Sequence, residues 1–240
     1  MKLFIITGGS RGLGHALCEQ FKSRDYRIIE FSRSAPHEYS IQADLADSEN
    51  SRRIVKEAIA PIDDMLLEEL IVVSNAGTLE PVGPTSSKSY SNILKNINTN
   101  FASPILVLTE VIDKFQAAAC RKVILNISSG AALKGRAGWS LYCAAKAGME
   151  NFIRSLALEQ QAQPQPFIPI NIDPGVIDTD MQAFIRTSSP SDFPDVEVFI
   201  QRKNQRLLQS PDNAAAAILR ILKQESLSFG ERYKTSDYDG

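Results

Sequence analysis

The sequence predicts a doubly wound α/β fold, a parallel sheet with helices on both faces. Three observations predict it. Short apolar runs alternate along the chain with longer amphipathic stretches. The first run ends in a glycine-rich turn that leads straight into a helical pattern. The 240 residues, 43% hydrophobic and 22% charged, suit one core with an ordinary polar surface, so residues 1–240 are expected to form a single domain.

The elements follow in order. Leu3–Ile6, Arg27–Phe31, Leu70–Ser74, Arg121–Ile127 and Phe167–Ile172 are short runs without polar alternation, as expected of strands buried on both faces. Between them, Leu13–Phe21, Ser48–Ile59, Ser89–Phe115 and Ser140–Glu159 carry helical periodicity. Such alternation implies parallel strands joined by right-handed crossovers. Thr187–Pro194 is too rich in serine and proline for regular structure and is expected to be a loop between helices. Pro211 and Asp212 then open a last helix to about Lys223, proline being well placed in a first turn.

Composition excludes several functions. The net charge of −2 gives no basic field for nucleic acid or an anionic membrane. Apolar runs such as Leu3–Ile6 and Ile105–Leu108 fall far short of the ~20 residues that span a bilayer. Gly8 and Gly9 cut the first run too short for a secretory signal, so a cytoplasmic protein is expected. The three cysteines, Cys18, Cys120 and Cys143, make an odd count with no CxxC spacing and read as free thiols. The two histidines, His15 and His37, lie in no ligand-spaced cluster, so no metal site is expected.

Chemistry concentrates in a few motifs. After the first strand comes Thr7-Gly8-Gly9-Ser10-Arg11-Gly12-Leu13-Gly14. Glycines there permit a tight turn and let a phosphate approach backbone N–H groups at a helix N-terminus. A ligand-free strand–helix turn would use the same residues, but the position at the first strand–helix junction favours a dinucleotide. No Gly-Lys-Ser/Thr follows, which excludes a nucleoside-triphosphate loop.

The spacing TGxxxGxG resembles the cofactor turn of the short-chain dehydrogenase/reductase family, and further motifs follow in the family's order. They are Asn75-Ala76-Gly77; Asn100 within Asn98–Pro104; Asn126-Ile127-Ser128-Ser129; Tyr142-Cys143-Ala144-Ala145-Lys146; and Pro174-Gly175-Val176-Ile177-Asp178-Thr179. The resemblance spans essentially the whole chain and implies a Rossmann-type fold and a nicotinamide cofactor. It implies a catalytic set of Asn100, Ser129, Tyr142 and Lys146. The family's serine stands thirteen residues before its tyrosine, which selects Ser129 over Ser128. Implied cofactor contacts are Gly8, Ser10, Arg11, Gly12, Leu13, Gly14, Ser32, Arg33, Asp44, Leu45, Asn75, Ala76, Gly77, Tyr142, Lys146, Pro174, Gly175, Ile177 and Thr179. Asp44-Leu45 matches a segment that contacts adenine, although an aspartate there equally suits a helix cap.

Hydride transfer to a carbonyl leaves negative charge on oxygen, which needs a proton and hydrogen bonds. A free phenol with a pKa near ~10 is sluggish at this. Tyr142 and Lys146, four apart, share a helix face, so the ammonium can lower the phenol's pKa. By resemblance, Lys146 also reaches the nicotinamide ribose, Ser129 polarises the substrate carbonyl, and Asn100 holds a water linking the lysine to a proton relay.

Charge favours NADPH over NADH. Selectivity for NAD needs an acid at the end of the second strand. Here Glu30 falls inside that strand, and the terminal positions are Ser32 and Arg33. Arg33 and Arg11 together suit a 2′-phosphate.

Gly138–Cys143 and Pro174–Gln182 are similar to the sepiapterin reductase branch, including bacterial members that reduce benzil and other diketones. The expected substrate is therefore a small-molecule carbonyl, with Ser129, Trp139, Tyr142 and Met181 as contacts and Arg136 and Phe184 beside them. Alternatives are a pterin reductase and a non-catalytic NADPH-binding regulator. The pterin-anchoring aspartate of the branch is replaced by Lys234, with Asp237 and Asp239 further on. The family also implies a homo-oligomer, dimer or tetramer, through the helices of Ser89–Phe115 and Ser140–Glu159.

Overall fold

The computed structural model describes residues 1–238; Asp239 lies outside the described residues. Seven parallel strands, β1 (Lys2–Thr7), β2 (Tyr26–Ser32), β3 (Ser40–Gln42), β4 (Glu69–Ser74), β5 (Arg121–Ile127), β6 (Phe167–Asp173) and β7 (Arg232–Lys234), form one sheet in the order β3-β2-β1-β4-β5-β6-β7. The helices are α1 (Gly12–Lys22), α2 (Ser48–Ile59), α3 (Tyr90–Ile97), α4 (Ser103–Phe115), α5 (Ser140–Gln161), α6 (Asp180–Arg186), α7 (Val196–Asn204) and α8 (Pro211–Leu222). This is the expected doubly wound fold. The strand order reverses between β1 and β4, and at that switch point the strand ends open a crevice.

Period-2 alternation divides each central strand between two cores. Phe4 and Ile6 of β1 pack with Leu17 and Phe21 of α1 and with Ile218 and Ile221 of α8. Leu3 and Ile5 face the other way, onto Val55 and Ile59 of α2, Val111 and Phe115 of α4, and Ile153 of α5. A third cluster, Trp139, Tyr142, Ile185, Phe193 and Phe199, sits past the strand ends.

Three expectations need correction. The helix read over Ser89–Phe115 is broken: α3 ends at Ile97, a π turn spans Asn98–Ala102, and α4 begins at Ser103. Pro104 supplies the reason, because it has no N–H to return to the carbonyl of residue 100. Strands β3 and β7 escaped the pattern because each is a three-residue edge strand of mostly polar residues. Asp44 does not cap α2; Asp47 does, accepting from Asn50 N at 3.2 Å, while Asp44 accepts from Ala46 N.

Candidate active site

The loops after β1, β4, β5 and β6 converge at the carboxyl ends of the strands. The glycine turn is built for close approach. Gly8 (φ +72°) and Gly12 (φ +56°) are left-handed, and a Cβ on Gly14 would lie 2.1 Å from the Gly8 carbonyl. Asn75, from the end of β4, donates through Nδ2 to the carbonyls of Thr7 and Gly8 at 3.1 and 2.8 Å. A Cβ on Gly8 would meet the Cα of Ala76 at 2.8 Å, so the two turns touch backbone to backbone. Helix α1 has no side-chain cap and no acid in its first turn, which leaves its N-terminal N–H groups open to an anion. These features fit the phosphates of a dinucleotide.

Glu30 has a part the sequence did not reveal. It is fully buried beneath the turn and accepts from Gly9 N at 2.8 Å and from Ser32 Oγ at 3.1 Å. Ser32 therefore points inward, its hydroxyl also accepting from Ala35 N. Arg33 is exposed at the strand end. Arg11 is exposed too, but its guanidinium pairs with Asp180 at 2.8 Å. His37, from the loop after β2, stacks on His15 of α1 with ring centroids 4.6 Å apart, tying that loop to the helix. Leu45 is buried in the core, and its carbonyl accepts from Ser103 Oγ.

Asn100 occupies the π turn and is buried. Its Nδ2 donates to Thr78 O at 2.8 Å and its Oδ1 accepts from Thr78 N at 2.9 Å, so the side chain is locked to the segment after Gly77. Its own carbonyl lacks the usual i+4 donor, because that residue is Pro104. The place a Gly77 Cβ would occupy lies 3.2 Å from Asn100 Oδ1 and 3.9 Å from Lys146 Nζ, so the three groups meet at one point.

The adjacent serines diverge. Ser128 turns inward and donates to Glu150 Oε1 at 2.5 Å. Ser129 begins a short turn, its Oγ accepts from Ala131 N at 3.1 Å, and the same hydroxyl is near enough to Tyr142 to favour the phenolate. Tyr142 and Lys146 lie one turn apart on α5, each only 7% exposed. Burial pushes the Tyr142 phenol up to about 12, and the Ser129 hydroxyl pulls the other way. Burial lowers Lys146 to about 8, opposed by the negative charge of Glu150. The ammonium donates to Ile127 O at 2.7 Å and stands 5.7 Å from the Tyr142 ring. At that distance Lys146 acts on Tyr142 less directly than the i,i+4 spacing implied.

After β6, Gly175 (φ +70°) turns the chain, its N–H donating to Asp173 Oδ1 at 3.1 Å. Thr179 precedes α6, and its Cγ2 would lie 3.2 Å from a Cβ on Gly12, so this loop closes against the glycine turn. Over Tyr142 lies an aromatic roof. Trp139 meets Tyr142 edge-on at 6.1 Å and stacks on Phe193 at 4.5 Å, with Phe199 of α7 alongside. Arg136 covers the rings of Trp139 and Phe199 and pairs with Asp195 at 2.7 Å. Met181 packs against this cluster, while Phe184 is 38% exposed. Phe193, fully buried, comes from the serine- and proline-rich loop, whose composition hid an anchor.

Among the described residues, no cluster of His, Cys, Asp or Glu could hold a metal ion, and no helix is long and apolar enough to cross a membrane.

Comparison with known proteins agrees with this geometry. The sequence model of the short chain dehydrogenase family matches residues 2–190. A benzil reductase ((S)-benzoin forming) of Bacillus subtilis is 32% identical over 229 residues, covering 93% of this chain and 94% of the relative. The sepiapterin reductase of Rattus norvegicus is 27% identical over 254 residues, covering 94% and 93%. The crystal structure of the KRED1-Pglu enzyme superposes with a TM-score of 0.82 at 27% identity, over 97% of this chain and all of that one.

Proposed function

This chain belongs to the short-chain dehydrogenase family, and from that premise we propose that it is an NADPH-dependent carbonyl reductase of aromatic or vicinal diketones. Membership makes it an oxidoreductase of carbonyl and hydroxyl groups that uses a nicotinamide cofactor; when bound, that cofactor supplies the hydride. The observation that carries the rest is the buried cluster itself: Tyr142 and Lys146 one turn apart on α5, the ammonium 5.7 Å from the phenol ring, with the Ser129 hydroxyl beside Tyr142. Ser129 and Tyr142 both reach one carbonyl oxygen, Ser129 to polarise it and Tyr142 to give it a proton. Lys146, charged at neutral pH, is assigned the roles the family resemblance implies, favouring loss of that proton and holding the nicotinamide ribose. Asn100, fixed by Thr78, offers its carbonyl to a water that would return a proton through Lys146.

The preference for NADPH rests on Glu30 and Arg33. An acid that accepts from Gly9 N and Ser32 Oγ beneath the turn is not placed to accept from a ribose 2′-OH. Arg33 stands exposed where a 2′-phosphate would lie, and Arg11 joins it by leaving Asp180.

The aromatic roof supports an aryl diketone, as reduced by the Bacillus relative. A pterin, as in the rat relative, needs an acceptor for its ring N–H groups. Lys234 sits opposite Asp173 at the sheet edge and offers none. Asp237 is exposed in a turn carried away onto α8, where Arg220 donates to Tyr238 O at 2.7 Å. We read residues 1–240 as one domain acting as a homodimer. Partly buried Ile112 and Phe152, with exposed Leu158, mark the outer faces of α4 and α5 for a partner copy. NADPH oxidation measured against benzil, an aliphatic diketone, a quinone, an aldehyde and sepiapterin tests the assignment, and oxidation with none of them refutes it.

A further inference from the structure

The strand the sequence did not show, β7, carries a side chain that joins three parts of the site. Arg232 is a buried guanidinium, 11% exposed, that touches three elements at once. Its Nε donates to Glu150 Oε1 at 2.7 Å, and one terminal nitrogen donates both to Asp173 Oδ2 at 2.9 Å and to the backbone carbonyl of Ser129 at 3.1 Å. Each partner leads onward. Asp173 holds Gly175 N through its other oxygen, so Arg232 and the turn after β6 share one carboxylate. Glu150 lies one turn beyond Lys146 on α5, binds Ser128 Oγ at 2.5 Å and pairs with Arg154 at 2.7 Å.

Around it, Ser128 N donates to Ile172 O at 2.7 Å and Ala131 packs into the third cluster, but at Ser129 itself the other bonds, from Ala131 N and Ala132 N, are local to the turn. After Ser129, a Cβ on Gly130 would find nothing within 4 Å, and Leu133 is 62% exposed. Arg232 is thus the side chain that ties the Ser129 backbone carbonyl to the distant strand and helix, rather than to its own turn. A planar guanidinium suits this job because it delivers bonds in fixed directions to several acceptors, which a lysine ammonium on a flexible stem cannot reproduce.

We infer that Arg232 is a positioning residue, setting Ser129 in register with Tyr142 so that the edge strand β7 determines the turnover of the site. The inference rests on the carbonyl-reductase reading above. Simple charge neutralisation of Glu150 and Asp173 is the competing role, and it makes a different prediction: any cation at 232 would do.

The experiment compares Arg232→Lys, Arg232→Met, Ser129→Ala and the double variant Arg232→Lys/Ser129→Ala. Melting temperature is read by circular dichroism, NADPH affinity by fluorescence, and kcat and KM with benzil. Positioning predicts that Arg232→Lys folds and melts within a few degrees of the parent, yet loses about ten- to a hundredfold in kcat with little change in KM. In the Ser129→Ala background the same change should cost less than about threefold, because Arg232 acts through Ser129. A kcat for Arg232→Lys within about twofold of the parent overturns the inference, as do losses that multiply in the double variant. Failure of Arg232→Lys to fold also overturns it, making the residue a requirement of the fold; failure of Arg232→Met alone leaves the lysine variant to decide. Full activity in Ser129→Ala would instead sink the carbonyl-reductase mechanism itself.

Discussion

Replacing Arg33 with alanine is expected to raise the KM for NADPH while leaving that for NADH unchanged. Among the described residues no acid pairs with the Arg33 side chain, which stands exposed at the end of β2, so a phosphate there displaces only water. A charge-assisted hydrogen bond contributes roughly 1.5–3 kcal/mol, which is about ten- to 150-fold in affinity. Arg11 differs, because it must first give up Asp180. That pair is about 70% exposed on both sides, and such pairs are worth about 0.2–1 kcal/mol. Arg11→Ala should therefore cost less than Arg33→Ala, roughly two- to a hundredfold. Asp180→Asn should lower the KM for NADPH by up to about fivefold by releasing Arg11. Steady-state KM values for both cofactors, taken at low and at physiological ionic strength, measure all three, and the arginine losses should shrink as salt rises. Equal rises for NADPH and NADH would refute the reasoning, and so would a KM for NADPH raised by Asp180→Asn.

Other outcomes follow from the same geometry. Tyr142→Phe should lower kcat by ~10²-fold or more with the NADPH Kd unchanged in a fluorescence titration; near-normal turnover removes the phenol from the mechanism. Lys146 is charged below about 8, and in the proposed mechanism that charge assists proton transfer from Tyr142, so log kcat/KM for reduction should fall as pH rises through that value. Glu150→Gln removes the charge that holds Lys146 up and should move this limb to lower pH; a pH profile with an unmoved limb contradicts the assignment. Phe193→Ala opens the stack on Trp139, so it should cost about 3–5 kcal/mol in urea unfolding. It should also raise the KM for benzil more than that for butane-2,3-dione, and equal effects would argue against the roof as a substrate wall.

The legible part of the fold was its middle. Strands such as Leu70–Ser74 are buried on both faces and read as unbroken apolar runs, and the turn motifs sit where the switch point needs them. What stayed hidden has physical causes. Edge strands bury one side only and so carry no run, which concealed β7 and with it Arg232. The π turn at Asn100 looks helical in periodicity, and only Pro104 betrays it. Glu30 reads as an oddity inside an apolar strand; its partner is a backbone N–H twenty-one residues away, a bond that leaves no mark in side-chain pattern. Ser128 and Ser129 differ by one position along an extended end, so in the sequence only spacing tells them apart; in the structure Ser128 Oγ donates to Glu150 and Ser129 Oγ accepts from Ala131 N. Phe193 was masked by the serines and prolines around it.

The most direct test of the central claim is kcat/KM of the protein with NADPH for benzil and for sepiapterin, measured side by side with Tyr142→Phe. The account predicts a higher value for benzil and loss of both activities in the variant. A preference for sepiapterin, or reduction of benzil that survives without the Tyr142 hydroxyl, would contradict it.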